Sequence, residues 1–166
     1  MEALENILGR RSIRRYTEEP ITSSTIDSLL KAAMSAPSAS NIQPWQFVVI
    51  TERAILDAFP SFHPHASMTS QAAAAIMVCG EPEKSRYWQQ DCGAATQNIL
   101  LAARALGLGA VWLGIYPRED RVKGSRALLG IPEPVVPMAL VALGYPAEQK
   151  APSERFDEAK LHHQKW

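Results

Sequence analysis

Apolar residues recur at helical spacing and then in short unbroken runs, and the two patterns alternate along most of the chain. Residues 2–9 place Leu4, Ile7 and Leu8 on one face of a short helix. A clearer helix follows, which Thr22 or Ser23 can cap. In it Ile26, Leu29, Leu30 and Ala33 repeat at i, i+3, i+4 and i+7, and Pro37 marks its end. Residues 46–51 read as a strand with a short helix over 52–58 behind it, and 60–71, holding Pro60, His63, Pro64 and His65, read as a loop. Residues 74–79 form an unbroken apolar run, as in a strand buried on both faces. From around Ser85 to about Leu106 a long helix is apolar over most of its circumference. Such a helix needs neighbours on nearly every side, and a second copy of the chain is one way to supply them. Gly107 and Gly109 end it, 110–115 forms a strand, and Pro117 at a first helical position starts the next helix. Gly124 weakens that helix, Leu128, Leu129 and Ile131 close it before Pro132, and 137–144 is the last buried strand. The polar tail over 147–166 is either a frayed end or an arm that packs on something else, and the apolar Trp166 favours an arm.

A chain of 166 residues, 46% hydrophobic and 20% charged, fits one globular domain with a real core. Net charge is zero, so a basic cluster is local rather than part of a polyanion-binding field, and nucleic acid is excluded as a partner. No apolar run approaches the ~20 residues of a membrane span. Acidic Glu2 and Glu5 stand where a signal peptide needs basic residues, so a cytoplasmic protein away from membranes is expected. Cys79 and Cys92 lack metal-ligand or redox spacing and read as buried thiols. His63 and His65, and likewise His162 and His163, lack the helical spacing of a zinc site and read as surface histidines. The Gly107–Gly109 pair runs from helix into strand, the reverse of a dinucleotide fingerprint, and no P-loop pattern is present. Ser38 and Ser40 lack a nucleophile elbow, which disfavours hydrolysis.

Two polar concentrations remain. Arg10, Arg11, Arg14 and Arg15 crowd around Ser12, and such a set of guanidinium forks and a hydroxyl suits a phosphate dianion, although a solvated surface run is the commoner meaning of such a pattern. Pro37, Ser38, Ser40, Asn41 and Gln43 precede Pro44-Trp45 in a second group. A Ser/Asn-rich loop is most often only a turn, yet amides pair donor with acceptor as the imide edge of a flavin or a nucleobase requires. Arg155 in the tail can reach a phosphate if the tail wraps.

Residues 10–14, residues 37–45, Trp112-Leu113-Gly114 and the late Arg155, in that order, resemble the nitroreductase family of FMN-dependent oxidoreductases over nearly the whole chain. The resemblance implies an α+β sandwich, a mainly antiparallel sheet covered by helices, in an intertwined homodimer with FMN at the subunit interface. Arg10, Arg11 and Ser12 then hold the FMN phosphate with Arg155 joining from the tail, and Arg14 lies by the ribityl chain and the N1/C2 edge. Pro37, Ser38, Ser40, Asn41 and Gln43 come from the other subunit, and Leu113 and Gly114 put backbone groups beside N5 and O4. The implied activity takes hydride from NADH or NADPH and reduces a small acceptor such as a nitroaromatic or a quinone in a ping-pong cycle. The flavin carries the chemistry, so no acid–base side chain is obligatory. Longer relatives insert a helical segment over the flavin that this chain lacks, which leaves the 63–69 loop to form part of the open ring face. The same scaffold also supports dehalogenation, oxidation of small metabolites and flavin fragmentation, and a flavin carrier without turnover or a purely structural dimer are the readings outside catalysis.

Overall fold

The structure, a computed structural model, describes residues 2–166. Its centre is one antiparallel sheet of β1 (Trp45–Ile50), β2 (Ala74–Gly80), β3 (Gly109–Gly114) and β4 (Val136–Gly144) in the order β1-β2-β4-β3. The apolar run of β2 is explained by its place. It is an inner strand, and all seven of its residues are buried because helices cover both faces of the sheet.

Alternation along the strands sorts the core into two layers. Ile76, Val78, Ala110, Ala139 and Val141 face α2 (Ser23–Met34) and α4 (Trp88–Ala105). Met77, Cys79, Val111, Leu113, Leu140 and Ala142 face the other way, toward α3 (Arg53–Ala58), α5 (Glu119–Leu129) and the turns at Phe59–Ser61 and Ser67–Ser70. The α2 cap forms as its sequence suggests, the Thr22 hydroxyl accepting the Thr25 N–H at 3.2 Å. Cys79 and Cys92 are buried free thiols, and burial pushes each up to about 12.

Three expectations change. Pro117 is not a first helical residue. It lies in a turn, Arg118 stands before the helix, and Glu119 and Asp120 supply the acidic first turn that favours a start there. The long helix has one fully buried face, carrying Cys92, Ala95, Ile99 and Ala103. Ala94, Gln97 and Leu101 on another face are only half-buried. In α1 (Ala3–Gly9) the apolar face points outward, with Leu4 72% and Leu8 71% exposed, and the helix is held instead by Asn6 Nδ2 donating to Leu101 O at 3.0 Å. Among the described residues no helix is long and apolar enough to cross a membrane.

Candidate functional site

The Arg cluster is pinned to the outer edge of β3. Ile13 N–H donates to Ala110 O at 3.0 Å, Ser12 bridges Ala110, and Tyr16 bridges Pro146, so residues 12–16 run as a strap along the end of the sheet. Glycine permits this approach: a Cβ on Gly109 would lie 2.6 Å from Ile13 Cγ2, and one on Gly144 2.7 Å from Tyr16 Cγ. Lys150 donates to Ser12 O at 2.5 Å, and Glu148 accepts the Arg14 N–H at 2.6 Å. That bond, helped by Lys150, holds the Glu148 carboxyl below the usual carboxylate range.

Two cavities flank the strap. One of about 340 Å³ lies between Arg10, Ile13, Arg104, Ala110, Glu148 and Lys150, and one of about 310 Å³ between Arg10, Arg11, Gln97, Ser153 and Arg155. Among the described residues no ion pair involves Arg10, Arg11, Arg14 or Arg155; Glu148 in the first cavity pairs with Lys150, and the second cavity gathers three guanidiniums with no carboxylate in its lining. Burial, then Arg155, then Arg11 pull the Arg10 guanidinium below its ordinary value. Like charges facing one another in partly dry surroundings form a socket for an anion.

The 37–43 loop is built differently. Ser40, Asn41 and Gln43 hold φ of 51°, 55° and 54°, left-handed for residues that are not glycine. Such strain persists only where surroundings enforce it, and it concentrates at functional sites. Here the enforcement is visible. Ser38 Oγ accepts the Gln43 N–H at 3.0 Å, Gln43 Nε2 donates to Asn41 Oδ1 at 2.7 Å, and Ala39 N–H donates to the buried Asp91 Oδ1 at 3.0 Å.

On β3, Leu113 is buried beneath the sheet, whereas Trp112 and Gly114 face outward. Nothing lies within 4 Å of where a Gly114 Cβ would project, so the space over that backbone is open. Its carbonyl accepts Arg121 Nη1 at 2.8 Å and the ring of His63 through Nε2 at 3.0 Å. The expectation of surface histidines holds for His65, His162 and His163 and fails at His63, which is 1% exposed. A backbone carbonyl 51 residues away supplies its polar partner and so permits burial. In the 63–69 loop Ala66, Met68 and Thr69 pack beneath the sheet, and His63 reaches the Gly114 edge.

Within one chain the predicted residues therefore form two groups. Arg10, Arg11, Ser12, Arg14, Leu113, Gly114 and Arg155 gather at the β3 edge. Pro37, Ser38, Ser40, Asn41 and Gln43 lie at the start of β1, on the opposite edge, three strand spacings or about 14 Å across the sheet. Sequence reasoning missed Glu148, Lys150, Asp91, His63 and Arg121. Each acts mainly on a backbone group, a partnership that leaves no spacing signal in the sequence.

Comparison with known proteins agrees with this architecture. An Archaeoglobus fulgidus protein provisionally named an NADH dehydrogenase/NAD(P)H nitroreductase is 49% identical over 172 residues, covering 99% of each chain. A Bacteroides thetaiotaomicron structure under the same provisional name superposes with a TM-score of 0.96 at 45% identity, over 99% of this chain and 98% of that one. A Desulfovibrio desulfuricans protein provisionally named a nitroreductase and solved in complex with FMN superposes with a TM-score of 0.84 at 33% identity, over 98% of this chain and 96% of that one. Residues 7–79 and 62–145 match the nitroreductase family, and the chain belongs to it.

Proposed function

We propose that the protein is an FMN-dependent NAD(P)H oxidoreductase that acts on a small organic acceptor. The observation that carries this reading is the acid-free meeting of Arg10, Arg11 and Arg155 at the β3 edge, beside an open backbone at Gly114. The donor set fits the cofactor at both ends. Three guanidiniums and the Ser12 hydroxyl suit a phosphate dianion, and an unobstructed strand edge suits a flat ring that takes hydrogen bonds from amides. When bound, FMN supplies hydride acceptance at N5, which no side chain here provides.

The protein's part is placement. Arg10, Arg11, Ser12 and Arg155 hold the phosphate, Arg14 places positive charge toward the N1/C2 edge, and Gly114 presents backbone to N5 and O4, whereas the backbone groups of Leu113, expected beside the ring as well, turn inward to Leu140 of β4 and anchor the strand. Pro37, Ser38, Ser40, Asn41 and Gln43 complete the site from a second subunit, because their own β3 edge is a sheet's width away. The outward α1 face, the half-buried α4 face and the exposed tail with Phe156 and Trp166 are the surfaces such a homodimer buries, the tail acting as an arm of a single domain. An open ring face admits NAD(P)H and acceptor in turn, which gives ping-pong kinetics.

Titrating FMN into flavin-free protein, with sedimentation run alongside, tests the assignment. Saturation at one FMN per chain in a dimer supports it, and a monomer that leaves FMN free in solution contradicts it.

A further inference from the structure

β3 is an outer strand, and ladder alternation turns its backbone groups inward and outward by turns. Ile115 N–H donates inward to Met138 O at 3.1 Å, so the N–H and C=O of Gly114 both face the free edge. Two donors from separate elements converge on that one carbonyl, His63 Nε2 at 3.0 Å and Arg121 Nη1 at 2.8 Å. His63 Nδ1 accepts the His65 N–H at 3.2 Å, which leaves the ring proton on Nε2 and makes that atom the donor. Arg121 reaches the carbonyl with its Nε buried and unpartnered. A guanidinium swung out to solvent avoids that desolvation cost, so the bond to Gly114 is made against a penalty.

Gly114 needs such restraint. It ends its strand, carries no side chain, has open space above it and lacks an outer strand to hold it. The amide and the carbonyl belong to successive peptide planes: Leu113, paired with Leu140, holds the first, and fixing the carbonyl holds the second, so the turn about the Gly114 Cα is set and the amide keeps its outward aim.

We propose that His63 and Arg121 are positioning residues, a two-sided clamp that aims the Gly114 N–H at the N5/O4 edge of the flavin. This rests on the FMN reading above. The two residues act through Gly114, in place of the missing neighbouring strand.

The test compares His63→Gln, which keeps a donor where Nε2 stands, with His63→Leu and Arg121→Met, which remove one donor each. Three quantities are read: FMN affinity by fluorescence quenching, the difference between bound and free FMN visible spectra, and exchange of the Ile115 amide in flavin-free protein by NMR. His63→Leu and Arg121→Met each weaken FMN about tenfold, as loss of one such hydrogen bond implies. They also shrink the difference spectrum and speed Ile115 exchange, whereas His63→Gln stays within about twofold of the parent. Arg121→Met, at a half-buried site, keeps the test open if His63→Leu folds poorly. Unchanged affinity, spectrum and exchange in both removal variants overturn the clamp, as does equal loss in His63→Gln and His63→Leu. If the parent protein itself takes up no FMN, the functional reading fails, and Ile115 exchange still decides whether these residues hold Gly114.

Discussion

Asp91 in α4 accepts the backbone N–H of Ala39 at 3.0 Å across 52 residues of sequence, and this bond ties the left-handed Ser40-Asn41 turn to the core. The other carboxylate oxygen accepts the Ser85 hydroxyl at 3.3 Å, so one buried side chain satisfies two donors.

Asp91→Ala therefore strands both donors and costs about 1–3 kcal/mol, read as a lower denaturant midpoint. Asp91→Asn, which retains an acceptor for Ala39, loses about half as much. If FMN is held partly by the 38–43 turn, Asp91→Ala also weakens it, although Asp91 itself lies off the β3 edge.

The cation gathering predicts opposite signs in the free and bound states. Arg10→Met removes a repelled charge, so the flavin-free protein is as stable as the parent or slightly more so. FMN affinity falls by about 1.5–3 kcal/mol, the worth of a charge-assisted bond, and raising salt weakens the parent's FMN binding more than the variant's. Isothermal titration at two salt concentrations checks both.

Complementation tests the two-edged site. Neither Arg10→Met nor a Ser38→Ala/Asn41→Ala chain holds flavin well as a homodimer. Co-refolded and isolated as the mixed dimer, the two damage one site doubly and leave the other intact, so about half of the normal FMN content returns. No recovery places both groups of residues in one subunit's site.

His63 predicts an acid-side loss of stability. Burial, then Arg121 from α5, hold its ring below the ordinary histidine value, with His65 adding to them and the Gly114 carbonyl opposing. As pH drops through 6.5, the unfolded chain takes up a proton that the folded ring refuses, so stability present above that pH is lost progressively below it. Urea midpoints measured from pH 7.5 down to 5 show the fall, and His63→Gln flattens it.

Packing under the strap gives a stability prediction away from the charges. Gly109→Ala drives a methyl to 2.6 Å from Ile13 Cγ2, at a β-branched residue with little freedom to turn away. About 1–3 kcal/mol is lost, which for a chain of this size lowers Tm by several degrees, and Ile13→Ala recovers part of it.

What was legible in the sequence follows from the range of the interactions involved. β2 was visible because seven consecutive buried positions require apolar residues, and α2 because its cap and its buried Ile26, Leu29 and Ala33 sit at helical spacing. The start of α5 was misplaced because Pro117 suits a turn as well as a helix start, and Glu119 with Asp120 decided between them. In the candidate site, residues proposed to offer side chains to a ligand are conspicuous by type, as with Arg10 or Asn41. Those that hold a distant carbonyl or amide, such as His63 on Gly114 and Asp91 on Ala39, leave no local trace, since any backbone group serves as a partner.

FMN carried at the β3 edge and reduced there by a nicotinamide donor has a visible signature. The most direct measurement is the visible spectrum of the FMN-loaded protein before and after anaerobic addition of NADPH or NADH. Loss of the flavin's visible band within seconds, and its return when a nitroaromatic or quinone is added, is the predicted result. A loaded protein whose band neither donor bleaches is not a nicotinamide-dependent oxidoreductase.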